Sequence, residues 1–208
     1  MLTAKNGLEQ TPEEAHKCIL RGPTILRYDK DFVTHRVKLL ESLGYAEARR
    51  MVVMRPGMLS FKDETVKEHA AWWKQTGLDD VKILRDNPGL LGSCSTEVLQ
   101  AKLDFLSRVA GMSNEDITKA ALFSFSLDGR LRARYFYALL KNELARFRSM
   151  STLMKATDAV FLGMLQGGKF RIDRASKAEV KSYQEQVASP EFVAWREQQE
   201  ALILRGRE

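Results

Sequence analysis

The apolar positions of this chain recur with a period of 33 residues. Three rows of apolar residues carry the period: Val33, Val66 and Leu99; Val37, Ala70, Leu103 and Phe136; and Leu40, Trp73, Leu106 and Leu139. Within each repeat these positions stand four and then three residues apart, which places them on one face of an α-helix. Because one such unit cannot bury its apolar face alone, the pattern predicts helical repeats stacked on one another.

Capping residues and turn residues define the parts of each repeat. Thr11-Pro12-Glu13-Glu14 is typical of a helix start, with a Thr cap, Pro in the first turn and acidic residues near the helix N-terminus. A proline turn separates the two helices of the first three repeats: Pro23-Thr24-Ile25-Leu26, Pro56-Gly57-Met58-Leu59 and Pro88-Gly89-Leu90-Leu91. In the fourth repeat Phe123-Ser124-Phe125 takes the place of the proline turn. Each repeat therefore reads as helix, turn, helix.

The C-terminal part of the chain is also predicted to be helical. Helical pattern runs from Met150 to Leu165, Gly167-Gly168 marks a break, and Lys177 to Leu204 reads as one or two helices interrupted near Ser189-Pro190. We therefore predict an all-α fold, a right-handed stack of helical hairpins (an α-solenoid). Its repeats are expected over residues 11–165, and a C-terminal helical extension over residues 169–208 is expected to cap the open end.

Composition and motifs exclude several classes of protein. The chain has an ordinary apolar fraction of 44%, and it contains no apolar run of the roughly 18 residues that a membrane span needs. Cys18, Cys94 and the three histidines have no metal-ligand spacing, and neither a P-loop, a GxSxG nor a GxGxxG motif occurs. The N-terminus lacks the apolar core of a secretory signal. We expect a soluble, non-enzymatic protein without metal, cofactor, small-molecule substrate or membrane contact.

The proline turns, the Leu-Gly helix ends and the period together resemble the mitochondrial transcription termination factor (mTERF) family. The sharpest match is Ser126-Leu127-Asp128-Gly129-Arg130-Leu131-Arg132-Ala133-Arg134, which is similar to the family motif Ser-Leu-x-x-Arg-Leu/Ile-x-Pro-Arg, with Ala133 in place of the proline. Further matches are Ser151-Thr152-Leu153 and Asp158-Ala159-Val160-Phe161-Leu162. The resemblance covers roughly residues 11–165.

This resemblance implies a non-enzymatic protein that acts on DNA or RNA in mitochondria or chloroplasts, in transcription, RNA maturation or ribosome biogenesis. We favour the mitochondrion as the location and RNA over DNA as the ligand. Only about four repeats are present, fewer than many members carry, which argues against a long surface that wraps a duplex.

The charge is distributed unevenly along the chain. The net charge of +6 is made up of a balanced part over residues 1–129, with 18 basic and 18 acidic residues, and a basic part over residues 130–174, with 10 against 3. Residues 175–208 add 5 basic and 6 acidic residues. Because phosphates dominate the affinity of proteins for nucleic acid, this distribution favours a grip on a phosphate backbone from one end of the repeats.

Eleven residues are therefore candidates for nucleic-acid contact: Arg130, Arg132, Arg134, Tyr137, Lys141, Arg146, Arg148, Lys155, Lys169, Arg171 and Arg174. Arg130, Arg134, Tyr137 and Lys141 share a helix face that is distinct from the core stripe. Arginine can pair phosphate oxygens in a bidentate manner, and Tyr137 could stack on an unpaired base.

Three alternatives remain open at the level of the sequence. The cations could form solvated helix faces or pack their stems between repeats. The ligand could be double-stranded organellar DNA in transcription termination or regulation. The repeats could also serve as a protein scaffold in a large assembly, with other proteins as the only partners.

Overall fold

The computed structural model describes residues 11–120, 122–147, 149–166 and 174–207. These residues form twelve α-helices joined by short 3₁₀ and π turns, and none of them lies in a strand. The helices are α1 Pro12–Arg21, α2 Lys30–Ser42, α3 Ala48–Met54, α4 Asp63–Gln75, α5 Asp80–Asp86, α6 Thr96–Asp104, α7 Asn114–Ala120, α8 Ala133–Leu140, α9 Met150–Lys155, α10 Asp158–Leu165, α11 Lys177–Ala188 and α12 Pro190–Arg205. The predicted all-α class is confirmed.

Local signals in the sequence place most helix ends correctly. Thr11 and Glu14 form a capping box at the start of α1, because the Thr11 hydroxyl accepts a hydrogen bond from the Glu14 N–H and the Glu14 carboxylate accepts one from the Thr11 N–H. Ser189 caps α12 in the same region where the sequence predicted an interruption. The predicted helical stretch from Met150 to Leu165 is divided into α9 and α10, because Thr157 adopts an extended conformation and caps α10.

The chain divides into two compact units, Met1–Leu99 and Gln100–Glu208. In the N-terminal unit α3 packs against α1 and α5, and the proline turn Pro56–Ser60 packs against the turns Pro23–Arg27 and Pro88–Leu91. The predicted apolar stripe is buried here: Val33, Val37, Leu40, Val66, Ala70 and Trp73 are at most 5% exposed. A right-handed solenoid and the domain bounds 11–165 and 169–208 stay predictions.

In the C-terminal unit α8 is surrounded by other helices. All its residues from Ala133 to Ala138 are buried. α9 packs against α8, and aromatic side chains of α10, α11 and α12 contact its rings. Leu139 of the predicted stripe is only half-buried. The reason is that α8 buries more than one face, so the predicted stripe of one residue row does not determine which of its residues are buried.

The described residues contain two π turns. Phe105–Val109 directly follows α6, and Leu127–Arg132 directly precedes α8. A π turn closes i→i+5 hydrogen bonds and so shifts which residues share a face. Leu103 of the predicted stripe is half-buried, and its neighbour Lys102 is buried. No helix in the described part of the chain combines the length and apolar character needed to cross a bilayer.

Candidate nucleic-acid interface

The side chain of Arg134 lies in the core of the C-terminal unit and is fully buried. Its Nη1 donates hydrogen bonds to the carbonyl oxygens of Leu153 at 3.3 Å, Met154 at 2.8 Å and Ala156. Its Nη2 lies 2.6 Å from Oδ1 of Asp158. The guanidinium therefore closes the C-terminal end of α9 and pairs the first residue of α10, where cation and acid each match the local helix dipole.

The ion pair has a clear electrostatic signature at Asp158. Burial alone would raise the pKa of this carboxyl group, but hydrogen bonds from Arg134 and Gln184 and the charge of Arg134 outweigh it, so the pKa lies below its usual value. Asp158 stays ionised and neutralises Arg134. The expectation that Arg134 lies off the core stripe and contacts a phosphate is thereby corrected, since no atom of its side chain reaches the surface.

Tyr137 is the second correction. Its side chain is 8% exposed and packs against Tyr183 of α11 at 4.8 Å and Phe161 of α10 at 6.2 Å, measured between ring centroids. Burial raises the pKa of its hydroxyl. A ring that is only 8% exposed, with Lys141 Nζ 5.3 Å from its centroid, offers no open face on which a base could stack. α8 was predicted to present this face to a ligand, but α10, α11 and α12 cover it.

Arg132 is paired rather than free. Its Nη2 lies 2.8 Å from Oε1 of Glu200 on α12, and its Nη1 lies 3.1 Å from Oδ1 of Asp128. Burial lowers the pKa of this guanidinium, but the two carboxylates outweigh that effect and raise it. Half-buried and bound to two acids, Arg132 mainly holds α12 against the π turn Leu127–Arg132.

Four other predicted cations have side chains that reach solvent. Arg130 is half-buried, and Lys141, Lys155 and Arg174 are exposed. None of the four forms an ion pair with a carboxylate of the described residues. Arg148, Lys169 and Arg171 lie outside the described residues, as does the side chain of Arg146. The positive charge that a ligand could meet in the described part of this segment thus belongs to these four side chains.

Phe125 is a residue that sequence reasoning did not select. The guanidinium carbon of Arg130 lies 4.7 Å from the centroid of the Phe125 ring, and both side chains are half-buried. A guanidinium that lies over a ring is positioned by a cation–π contact and keeps its planar set of N–H donors, which suits phosphate or base recognition. The available signal was the spacing of five residues between this aromatic residue and the first arginine of the late motif.

A neighbouring cleft has the opposite character. It encloses about 410 Å³ and is lined by Asp128, Asp158, Tyr183, Gln184 and Arg196, together with small and aliphatic side chains. Arg196 is buried and lies 3.3 Å from Asp128. With two carboxylates at its wall, this cleft disfavours a phosphate. Among the described residues no group of His, Cys, Asp and Glu is arranged to hold a metal ion.

The mTERF family model matches residues 4–162 of the 208-residue chain. A match of this extent shows that the protein belongs to the mTERF family. Membership supports a non-enzymatic, nucleic-acid-binding role in an organelle, related to transcription termination. No curated protein matches this chain.

Proposed function

We propose that this protein binds nucleic acid in an organelle without catalysing a reaction, and that its ligand is structured RNA within a ribosome or another ribonucleoprotein particle. The observation that carries the proposal is the concentration of charge. All of the net positive charge lies within residues 130–174, and four side chains there, Arg130, Lys141, Lys155 and Arg174, reach solvent and form no ion pair with a carboxylate of the described residues. We favour the mitochondrion as its location.

The contrast between the two ends of the chain supports a one-sided contact. Residues 1–129 are balanced in charge, and a protein that wraps a duplex along its repeats would need cations in every repeat, because each neutralised phosphate adds to the affinity. A small number of cations that reach solvent, one of them over the Phe125 ring, suits a loop or a bulge, where unpaired bases can be stacked and phosphates paired. This argument favours RNA over duplex DNA.

The proposal is tested by the salt dependence of binding. We expect the full chain to bind a structured RNA with an affinity that falls with salt, with a log–log slope of about 0.7–0.9 per phosphate neutralised. Replacing Arg130, Lys141 and Lys155 with Gln should lower the slope by about 2–3, because up to three phosphate contacts are lost. Fluorescence anisotropy over a series of salt concentrations measures both quantities.

A matched control carries the same change of net charge in the N-terminal unit, with Lys17, Lys38 and Lys67 replaced by Gln. All three lysines are exposed, and we expect the slope to stay near that of the unmodified protein. Equal losses in both triple variants would contradict a local basic surface. In the same assay Phe125→Leu should weaken binding without changing the slope, because it removes the ring and no charge.

Two other functions give different outcomes. Double-stranded DNA is the ligand in a transcription termination or regulation factor, and a duplex would then bind more tightly than RNA of equal length. A scaffold in a large assembly is favoured by the balanced charge of residues 1–129. A scaffold would bind neither nucleic acid at low salt, and its assembly would be unaffected by the triple Gln variant.

A further inference from the structure

A buried nitrogen donor recurs with the period of the repeats. Arg36 of α2, His69 of α4 and Lys102 of α6 stand 33 residues apart and are 1%, 3% and 7% exposed. Each donor meets the backbone carbonyl oxygen of a residue shortly before the second helix of the following repeat. The pairs are Arg36 with Phe61 at 2.5 Å, His69 with Cys94 at 2.6 Å and Lys102 with Phe123 at 2.8 Å.

The fourth repeat contains the same contact one residue out of register. Arg134 follows Lys102 by 32 residues, and its guanidinium binds the carbonyl oxygens at the end of α9, just before α10 begins. The carbonyl groups at the end of a helical turn carry partial negative charge and favour a cation. Three of the four repeats fill this position with arginine or lysine.

An acidic residue in the first turn of the next helix accompanies three of these four contacts. Arg36 lies 3.0 Å from Asp63, the first residue of α4, and Arg134 lies 2.6 Å from Asp158, the first residue of α10. For His69 the corresponding residue is Glu97, in the first turn of α6. Hydrogen bonds from Ser95 and from its own backbone lower the pKa of Glu97, and the charge of His69 lowers it further.

The hydrogen bonds of the His69 ring determine its charge. Nδ1 lies 2.8 Å from the Thr65 carbonyl oxygen, and Nε2 lies 2.6 Å from the Cys94 carbonyl oxygen. A carbonyl oxygen can only accept a hydrogen bond. A neutral imidazole has one N–H and one lone pair, so one nitrogen would face an oxygen with no proton between them. Only the imidazolium ion donates to both.

We propose that His69 is held in the folded protein as a buried imidazolium ion that joins α4 to the segment before α6, and that it makes this one repeat sensitive to pH. It is the titratable counterpart of Arg36 and Arg134. Glu97 is the charged group that faces it from α6, and Cys94 presents a thiol on the segment that it binds. The proline turn Pro88–Leu91, which packs against α4, contains no titratable side chain.

The direction of the pH effect follows from proton linkage. Because both carbonyl oxygens receive a hydrogen bond only while the ring carries two protons, the contribution of His69 to stability is greatest at low pH and is lost as pH rises through the range in which imidazole titrates, about pH 5 to 8. Over that range the unfolding equilibrium constant changes by up to about tenfold for each pH unit. Loss of the proton leaves one buried carbonyl oxygen facing a lone pair.

The test begins with the unmodified full chain. Two-dimensional NMR of the histidine ring nitrogens at about neutral pH should show both nitrogens of His69 protonated. A lone-pair signal from either His69 nitrogen, with the protein folded, would overturn the proposal. This measurement needs no variant.

Urea unfolding over the same pH range provides the second arm. We expect His69→Lys, which places there the residue type found in the third repeat, to keep its stability at the alkaline end and to lose the pH dependence. His69→Gln should be less stable at acid pH and equally flat. His16→Gln is the control, because His16 is exposed, and it should keep the slope of the unmodified protein. An unchanged slope in His69→Lys would refute the proposal.

Discussion

At the scale of single residues, Arg130 and Arg134 show that environment rather than residue type decides what an arginine does. They lie four positions apart in the segment that resembles the late family motif. Arg130 rests on the ring of Phe125 at the surface, whereas Arg134 is buried with its guanidinium bound to three carbonyl oxygens and Asp158. Desolvation makes the second arrangement dependent on every partner, since a buried charge without its partners is strongly unfavourable.

The residue-scale prediction compares these two arginines. Arg134→Met should lower the free energy of unfolding by about 3–5 kcal/mol, because it leaves Asp158 without its main cation and several carbonyl oxygens without a donor. Arg130→Met should change it by no more than about 1 kcal/mol, because its half-buried side chain loses only the cation–π contact with Phe125. Urea unfolding monitored by circular dichroism measures both values.

The pH dependence of the same variant provides a check. The pKa of Asp158 is lowered in the folded protein, so its ion pair stabilises the fold above the unfolded carboxyl pKa of about 3.9 and is lost as pH falls through the folded value. Arg134→Met should therefore flatten the acid side of the stability profile. If it kept the full acid dependence, the assigned role of the pair would be wrong.

At the scale of elements, the proline turns of the N-terminal unit pack closely at some positions and remain open at others. A Cβ atom built on Gly92, which follows the turn Pro88–Leu91, would lie 2.6 Å from two ring atoms of Phe61. A Cβ atom on Gly57, within the turn Pro56–Ser60, would have no atom within 4 Å. A side chain is therefore excluded by packing at Gly92 and sterically allowed at Gly57.

These glycines give the element-scale prediction. Gly92→Ala should destabilise the protein by about 1–3 kcal/mol, because the Phe61 ring must move out of a packed position. Gly57→Ala should be neutral or stabilise it by up to about 1 kcal/mol, because alanine restricts the unfolded chain and meets nothing in the folded one. Thermal and urea unfolding of the two variants side by side give the comparison, and equal effects would contradict it.

At the scale of the whole molecule, the C-terminal helices contribute to the core of the C-terminal unit. Phe192 of α12 is buried, and Trp195 on the same helix makes an edge contact with Phe136 of α8 at 6.3 Å. Tyr183 of α11 is buried against Tyr137 of α8. These contacts remove aromatic surface of α8 from water, which is the main source of stabilisation that such a helix can provide.

Phe192 and Leu202 test this role of α12 as a matched pair. Phe192→Ala should cost about 3–5 kcal/mol of unfolding free energy, because it opens a cavity beside the aromatic side chains of α8. Leu202 is 58% exposed on the same helix, so Leu202→Ala should change stability by less than about 0.5 kcal/mol. Differential scanning calorimetry measures both, and a Phe192→Ala protein as stable as the unmodified one would mean that α12 does not contribute to this core.

The sequence by itself determined the helical repeats and their connections. The apolar period, the caps at Thr11 and Ser189, and the proline turns are encoded within a few residues of where they act, because helix starts, helix ends and amphipathic faces are local properties. The family resemblance also rested on such local motifs. These features predicted the all-α class and the region in which the positive charge lies.

Only the tertiary structure decided which cations and aromatic residues are exposed. Arg134 and Tyr137 are buried by residues 19 to 55 positions further along the chain, and His69 obtains its second hydrogen bond from Cys94. Burial depends on which elements meet. The spacing of apolar residues indicates one buried face of a helix. It gives no information on whether other helices cover the remaining faces.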